Sequence, residues 1–298
     1  MALYMSHPHN RQPLYERILS LRSNLQPVPT SVSPELNAVP GIQVVVFDVY
    51  GTLLASGMGE ISTAESGSSA AAAAVLSRFF PDTDVTSSQI GEVLRELIEE
   101  SHRAAKLSGI DVPEVEIREI WASVLKRLGL SVSEPSAEFI ESVALEYELR
   151  SNPTALMPGA TEILTSLISI GYPVAVVSNA QFYTEMILES FLDAAVTDVL
   201  FRHAVWSYVS GVAKPSKRPF AEIQTHFPSI RHDQFVYIGN DMLNDVQGAA
   251  SAGMKTILFA GDRNSLRLRK GDSRVSVRPD AIVTQLDDIL TVLGRNVL

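Results

Sequence analysis

Five residues of this sequence have the side chains and positions to carry out chemistry together. Asp48, Ser178 and Asp241 come at, or just beyond, the ends of apolar runs that are typical of buried strands. In a parallel sheet the carboxyl ends of the strands lie along one edge, so one crevice can receive all three. Asp245 follows four residues after Asp241, and Lys214 lies between the second and third of these strand ends in sequence.

These residue types would suit transfer of a phosphoryl group to a carboxylate. A carboxylate such as Asp48 becomes a competent nucleophile when a cation aims and desolvates it. Phosphoryl transfer needs positive charge around the phosphoryl oxygens, which Lys214 and a metal ion would supply. Asp48, Asp241 and Asp245 together offer the oxygen ligands that Mg²⁺ prefers.

Each of these residues also has an ordinary structural explanation when it is taken alone. Asp48 could begin a turn, Ser178 could cap a helix, and Lys214 could be a surface lysine. Asp241 and Asp245 could simply favour a helix N-terminus. Their occurrence together, in order and at successive strand ends, favours the chemical explanation.

The elements that must position these side chains alternate between strand and helix. Short β-branched runs predict strands that are separated by segments with helical periodicity. The predicted strands are 44–48, 173–177, 235–238, 256–259 and 281–283. Such a series predicts an α/β protein with a parallel sheet covered by helices on both faces.

One long segment interrupts this alternation. Between Ala55 and Ala155 the apolar residues follow helical spacing in four successive stretches, and Trp121 lies in one of the apolar stripes. A Gly/Ser-rich stretch, 57–69, precedes them and indicates a hinge. We predict a helical bundle at 58–154, inserted into a core formed by 40–57 and 155–298, with 1–39 as a partly disordered extension.

Composition excludes several classes of partner. The chain has 298 residues, of which 46% are hydrophobic, with 24 basic against 34 acidic residues and a net charge of −10. This charge gives no footing for nucleic acid or an anionic membrane, and no apolar run is long enough to span a bilayer. Because cysteine is absent and no signal-type apolar segment is found, we expect a cytoplasmic protein.

Four short motifs, taken in order, resemble those of the haloacid dehalogenase superfamily of aspartate-nucleophile hydrolases. They are Asp48-x-x-Gly51-Thr52, Ser178-Asn179, Lys214-Pro215 and Gly239-Asn240-Asp241-x-x-Asn244-Asp245. The resemblance implies a Rossmann-like core, with the helical insert as a cap domain that encloses a small-molecule substrate.

The resemblance also implies roles for individual residues. Asp48 would attack the substrate to give a covalent intermediate that water releases, Ser178 in the Ser178-Asn179 motif would hold the transferred group, and Lys214 would neutralise charge. A Mg²⁺ ion would be bound by Asp48, the Tyr50 backbone carbonyl and Asp241, perhaps with Asp245. The expected activity is a Mg²⁺-dependent phosphatase acting on a small phosphorylated metabolite.

Tyr50 departs from the pattern of the phosphatases that this chain resembles. These usually carry a second Asp two residues after the nucleophile, as the general acid and base, and here that position is Tyr50. A metal-independent 2-haloacid dehalogenase is therefore one alternative, and a binding or regulatory protein that has lost activity is another. A phosphatase could borrow an acid from the insert, where Glu60, Glu65 and His102 are candidates.

Overall fold

Six parallel strands form the centre of the protein. The computed structural model describes residues 11–57, 68–130 and 135–295. In chain order the sheet strands are β1 (Val44–Phe47), β4 (Val174–Ser178), β5 (Ala204–Trp206), β6 (Phe235–Gly239), β7 (Lys255–Phe259) and β8 (Ala281–Val283). Across the sheet they are arranged β5-β4-β1-β6-β7-β8, and every neighbouring pair is parallel. The predicted α/β fold with a parallel sheet is confirmed.

Strand β1 lies in the middle of the sheet and is buried on both faces. Val45 and Phe47 belong to the larger hydrophobic core, whereas Val44 and Val46 belong to a second core on the opposite face. Alternate side chains of a strand point to opposite faces, so a strand covered on both sides must be apolar throughout. This is why the run before Asp48 has no polar position.

Helices flank the sheet or form the segment that interrupts it. In the core they are α6 (Ala160–Ser169), α7 (Tyr183–Glu189), α8 (Ala194–Arg202), α9 (Ser207–Ser210), α10 (Lys217–Thr225), α11 (Gly248–Ser251) and α12 (Asp288–Val292). A 3-10 turn, His232–Gln234, precedes β6, and a π-helical segment, Met242–Gln247, precedes α11. None of the helices in the described ranges is long and apolar enough to cross a membrane.

Four helices lie in the interrupting segment, which we call the helical insert. They are α2 (Ser68–Phe79), α3 (Ser87–Leu107), α4 (Ile117–Arg127) and α5 (Ala137–Ser151). Trp121 is fully buried among them, with its ring 5.2 Å from that of Tyr147, so it packs in the core of the insert. An antiparallel pair, β2 (Leu54–Ser56) and β3 (Thr154–Leu156), joins the insert to the sheet.

The domain boundaries stay a prediction. Most of the predicted hinge, 57–69, and two of the candidate acids, Glu60 and Glu65, lie outside the described residues. The same holds for 1–10 of the predicted N-terminal extension.

The described part of the N-terminal extension packs against both the insert and the core. Helix α1 (Gln12–Ser20) buries Leu14 and Ile18. Its Arg17 forms two hydrogen bonds of 2.6 Å to Glu146 on α5, and Tyr15 donates a hydrogen bond to Glu189 on α7. Further along, the backbone of Glu35 pairs with that of Ile282 at the edge of the sheet.

We expect Ile18→Ala to destabilise the protein, because Ile18 is buried beneath α1. Deleting a buried isoleucine side chain typically lowers the free energy of unfolding by about 2–5 kcal/mol. The matched control is Leu19→Ala on the same helix, where the side chain is 52% exposed, and a surface change of that kind shifts stability by about 0.5 kcal/mol or less. Urea unfolding of both variants measures the difference; equal, small effects would contradict the packing of α1.

Candidate active site

Asp48 lies directly after β1 and is held by two polar side chains. Its Oδ1 accepts a hydrogen bond from Ser178 Oγ at 2.9 Å and contacts Lys214 Nζ at 2.8 Å. Its backbone N–H donates to the Ile238 carbonyl on the neighbouring strand, which fixes the end of β1. The residue is only 7% exposed. Asp48 and Ser178, which the strand-end pattern places at one edge, are thus brought together with Lys214.

The Lys214 ammonium is the central cation of this site. Besides Asp48, its Nζ contacts Asp245 Oδ1 at 2.6 Å and donates to the Tyr237 hydroxyl at 2.9 Å. Burial by itself lowers the pKa of Lys214, but the carboxylates of Asp245 and Asp48 outweigh this, so its pKa is raised and it stays charged.

Asp245 folds back over the end of β6. Its Oδ2 accepts the backbone N–H of Asp241 at 2.9 Å, while Oδ1 faces Lys214. A β-carbon at Gly239 would lie 2.4 Å from the carboxylate carbon of Asp245, so only glycine leaves room for this arrangement. Burial raises the pKa of Asp245, and Lys214 opposes that rise. Because Lys214 and a backbone N–H both donate to it, we treat Asp245 as ionised.

Asn179 positions the backbone of Lys214. Its Oδ1 accepts the Lys214 N–H at 2.7 Å and its Nδ2 donates to the Lys214 carbonyl at 3.3 Å. The predicted site residue Asn179 therefore contacts Lys214 through the lysine main chain.

Tyr50 is close to the site, but its hydroxyl is engaged elsewhere. The phenol is 2.9 Å from Thr184 Oγ1 on α7. Burial, followed by the negative charge of Glu148, raises the pKa of Tyr50 well above its ordinary value. A phenol with so high a pKa is a poor general acid near neutral pH.

The last motif presents an amide, rather than a carboxylate, to the loop after Asp48. Thr52 Oγ1 donates to Asn240 Oδ1 at 3.3 Å, and a β-carbon on Gly51, which has φ 84°, would lie 2.5 Å from Asn240 Nδ2. Asn240 Nδ2 in turn donates to the Ser265 carbonyl at 2.6 Å. Gly51 is therefore required both for its positive φ and for the close approach of Asn240.

Asp241 pairs with a basic side chain that the sequence motifs did not indicate. Both of its carboxylate oxygens contact Arg269, with Nε at 3.0 Å from Oδ1 and 3.2 Å from Oδ2. Oδ1 also accepts the backbone N–H groups of Leu243 and Asn244, so Asp241 caps the π-helical segment. Arg269 lies in the long loop between β7 and β8, where no periodic pattern identified it.

The donor set in this conformation does not fit a Mg²⁺ ion bound by three carboxylates. Asp241 is occupied by Arg269 and Asp245 by Lys214. Within the described ranges, no group of three or more His, Cys, Asp or Glu residues is arranged so that it could hold a metal ion. The Mg²⁺ set of Asp48, the Tyr50 carbonyl, Asp241 and Asp245 stays a prediction.

The helical insert contacts two of the loops that carry site residues. Ile117 donates its N–H to Gln181 Oε1 at 3.0 Å, three residues beyond Ser178. The stretch before α4 also pairs with the segment before Lys214, since Ala213 N–H donates to the Val112 carbonyl at 2.9 Å. The insert therefore adjoins the edge of the sheet where Asp48 lies.

Glu148 on α5 is a buried acid that sequence reasoning missed. It accepts hydrogen bonds from Tyr183 of α7 at 3.0 Å and from Asn152 at 2.8 Å, so it joins the insert to the core. Burial raises its pKa to about 7, against the opposing hydrogen bonds of Asn152 and Tyr183. His102, an acid considered from the sequence, lies on α3, and burial lowers its pKa.

Comparison with known proteins identifies the family. The family model described as haloacid dehalogenase-like hydrolase matches residues 42–253. The chain therefore belongs to the haloacid dehalogenase-like hydrolases, and the predicted resemblance is confirmed.

Curated relatives match only part of the chain. The glyceraldehyde 3-phosphate phosphatase of Pyrococcus furiosus is 26% identical over 139 residues, which are 47% of this chain and 55% of the relative. The haloacid dehalogenase-like hydrolase domain-containing protein 3 of Xenopus laevis is 33% identical over 105 residues, 35% of this chain and 41% of the relative. The matched region thus spans about half the length of these relatives or less.

Two solved structures show the same fold. The 2-haloacid dehalogenase from Pseudomonas syringae pv. Tomato DC3000 superposes with a TM-score of 0.56 at 19% identity, covering 85% of this chain and 98% of that chain. The HAD phosphatase from Thermococcus onnurineus gives a TM-score of 0.52 at 18% identity, with the same coverage. At these identities the likeness shows the fold alone.

We expect Glu148→Gln to flatten the pH dependence of stability between about pH 4.5 and pH 7. Because the pKa of Glu148 is raised to about 7 in the folded state, the folded protein binds the extra proton throughout this window. Its stability therefore falls as pH rises, by up to about 3 kcal/mol from this one group, and levels off above the folded pKa. Denaturant unfolding at several pH values measures the slope.

The control for that experiment is Glu138→Gln, at the exposed start of the same helix. It should retain the wild-type slope. A Glu148→Gln variant with an unchanged slope would show that Glu148 is not the group that titrates in this window.

Proposed function

We propose that this protein hydrolyses phosphate esters of a small metabolite, with Asp48 as the nucleophile. The observation that carries the proposal is the position of Asp48 Oδ1, which Ser178 and Lys214 hold at 2.9 and 2.8 Å at the carboxyl edge of the sheet. The phosphatase names of two curated relatives, from Pyrococcus furiosus and Pyrococcus abyssi, support the choice of phosphate over other leaving groups.

The reaction would proceed in two displacements. A carboxylate oxygen of Asp48 forms a bond to phosphorus while the bond from phosphorus to the leaving-group oxygen breaks, which gives an aspartyl phosphate and an alkoxide that takes up a proton from water. Water then attacks the same phosphorus, releasing inorganic phosphate and restoring the Asp48 carboxylate. Lys214 stays charged and offsets the negative charge gathered at Asp48.

In this reaction, Ser178 and Asn179 position the groups that act on the substrate. The Ser178 hydroxyl orients Asp48, and Asn179 fixes the main chain of Lys214 so that its ammonium group faces the nucleophile. Such placement matters because phosphoryl transfer depends mainly on geometry and on charge stabilisation.

A small substrate is favoured by the position of the helical insert. The insert pairs with the segment before Lys214 and contacts the loop after Ser178. An element that close to both loops favours a small substrate over a macromolecule.

The second candidate function is displacement of halide from a 2-haloacid. The observations that favour it are the hydroxyl of Tyr50, which is bound to Thr184, and the carboxylate of Asp241, which is bound to Arg269. A halide leaves without protonation, so this reaction needs neither a second acid beside Asp48 nor a metal ion. Fluoride, chloride or bromide release from 2-haloacids, measured with and without chelator, tests it.

We expect Asp48→Asn to lower the turnover of a generic aryl phosphate by more than about 10³-fold, because the nucleophile is lost. The variant should fold normally, since an amide oxygen still accepts the hydrogen bonds of Ser178 and Lys214. The measurement is release of the phenol by purified protein, with added Mg²⁺ and with chelator. Turnover that survives in Asp48→Asn would show that Asp48 is not the nucleophile. If the wild-type protein itself shows no turnover of the aryl phosphate, halide release from 2-haloacids is measured next.

We expect Tyr50→Phe to change kcat/KM for an aryl phosphate by less than about threefold, since a phenol with so high a pKa supplies no proton. Its pH profile should also match that of the wild type. Loss of the hydrogen bond to Thr184 should lower stability by about 1 kcal/mol. A drop in rate by two decades, with the alkaline limb of the profile removed, would instead identify Tyr50 as the acid.

A further inference from the structure

The Arg269 guanidinium binds the carboxylate of Asp241. Its guanidinium contacts both oxygens of the carboxylate, and the Asp241 side chain is only 6% exposed. A two-oxygen pairing of this kind is stronger and more directional than a single surface ion pair. Asp241 is also the acidic residue of the last motif that the family resemblance assigns to a metal ion.

The loop that carries Arg269 is fixed along the last motif. Arg267 donates its N–H to the Asn240 carbonyl at 3.0 Å, and its own carbonyl accepts the Met242 N–H at 2.9 Å. The Asn240 side chain donates to the Ser265 carbonyl as well. Arg269 therefore reaches Asp241 from a backbone that is hydrogen-bonded on both sides of that residue.

The backbone of Arg269 itself adopts an unusual conformation. Its φ is 49°, in the left-handed region, and no other non-glycine residue in the described ranges has a positive φ. This conformation is unfavourable for a residue with a β-carbon, and it persists where the surroundings require it. Here it accompanies the contact between the guanidinium and Asp241.

The loop is anchored on its other side by the N-terminal extension. The Asp262 carboxylate accepts the backbone N–H of Val28 at 2.8 Å and the hydroxyl of Ser265 at 2.6 Å. Arg263 also donates its N–H to the Val28 carbonyl at 2.7 Å. The contacts with Val28 therefore help to fix the start of the loop that carries Arg269.

A divalent ion and the guanidinium cannot both use the Asp241 carboxylate in this arrangement. Mg²⁺ needs close oxygen ligands in near-octahedral geometry. Oδ1 already receives Arg269 Nε and two backbone N–H groups, and Oδ2 receives Arg269. An ion could reach either oxygen only after Arg269 had moved away.

We propose that Arg269 is the resident cation at Asp241, so that a divalent metal ion binds there only by displacing the Arg269 guanidinium. Metal affinity is then set by the strength of the Arg269–Asp241 pair. The inference rests on the proposed function only in taking Asp241 as the carboxylate that a metal would use, and its test requires no turnover.

The test is calorimetric titration of MgCl₂ into the full chain and into Arg269→Ala. Removing the guanidinium frees Oδ2 of Asp241 and leaves Oδ1 with its two backbone donors, Leu243 and Asn244, so Arg269→Ala should bind Mg²⁺ at least tenfold more tightly than the wild type. The double variant Arg269→Ala with Asp241→Asn should lose this gain. Arg267→Ala is the matched control, because it removes the same charge two residues away, where the side chain donates to the Asn264 and Leu266 carbonyls.

Several results would overturn the proposal. Equal Mg²⁺ affinity in the wild type and Arg269→Ala would do so, whether both bind tightly or neither binds. A gain that persists in the Asp241→Asn double variant, or that Arg267→Ala reproduces, would do so as well. Thermal melting without metal confirms that each variant folds, and Arg269→Gln, which keeps more of the side-chain volume, replaces Arg269→Ala if that variant does not fold. Because binding is the readout, failure here is distinct from failure to hydrolyse a phosphate.

Discussion

The buried ammonium group of Lys214, held between Asp48 and Asp245, is the interaction on which the rest of the site depends. Its side chain is 2% exposed and that of Asp245 is 1% exposed, so neither charge is stabilised by solvent. Removing one member of a buried ion pair typically costs about 3–5 kcal/mol, because the other charge is left uncompensated. Several neighbouring residues therefore serve to hold the charged groups of Lys214, Asp48 and Asp245 in place. Tyr237 accepts a hydrogen bond from the ammonium, Gly239 leaves room for Asp245, and Asn179 fixes the lysine backbone.

The same constraint explains why Asp48, the proposed nucleophile, lies at the end of β1. Asp48 follows a strand that is buried on both faces and paired with β4 and β6 up to Phe47, and its own N–H donates to the Ile238 carbonyl, so its main chain is fixed independently of its side chain. The ammonium and the Ser178 hydroxyl then fix one carboxylate oxygen. A carboxylate held by two donors in a poorly solvated place is aimed without being neutralised, which is the state that a nucleophile requires.

Much of this could be predicted from sequence because strand ends are local features. The apolar run before Asp48, the run before Ser178 and the run before Asn240 each ended within a residue of the observed strand, and parallel pairing brought their ends together. Glu148 was missed because it follows Tyr147 in a stripe assigned to helix packing, and its environment depends on how α5 meets α7. Arg269 was missed because its approach to Asp241 depends on a left-handed residue in a loop without periodicity. Contacts that depend on helix packing or on loop conformation cannot be predicted from the spacing of residues in the sequence.

The two halves of the site therefore have different physical origins. Asp48, Ser178, Lys214 and Asp245 form one connected set around a single ammonium, and their arrangement suits attack by a carboxylate whatever the leaving group is. Asn240, Asp241 and Arg269 form a second set, in which an amide faces the Gly51 loop and a carboxylate is bound by an arginine. In the proposed reaction, the first set places the Asp48 carboxylate for attack on the substrate. Neither Tyr50, whose hydroxyl is bound to Thr184, nor Asp241, whose carboxylate is bound to Arg269, is placed as a proton donor to a leaving group. The proposed reaction therefore makes the smallest demand on this site when its leaving group needs little protonation.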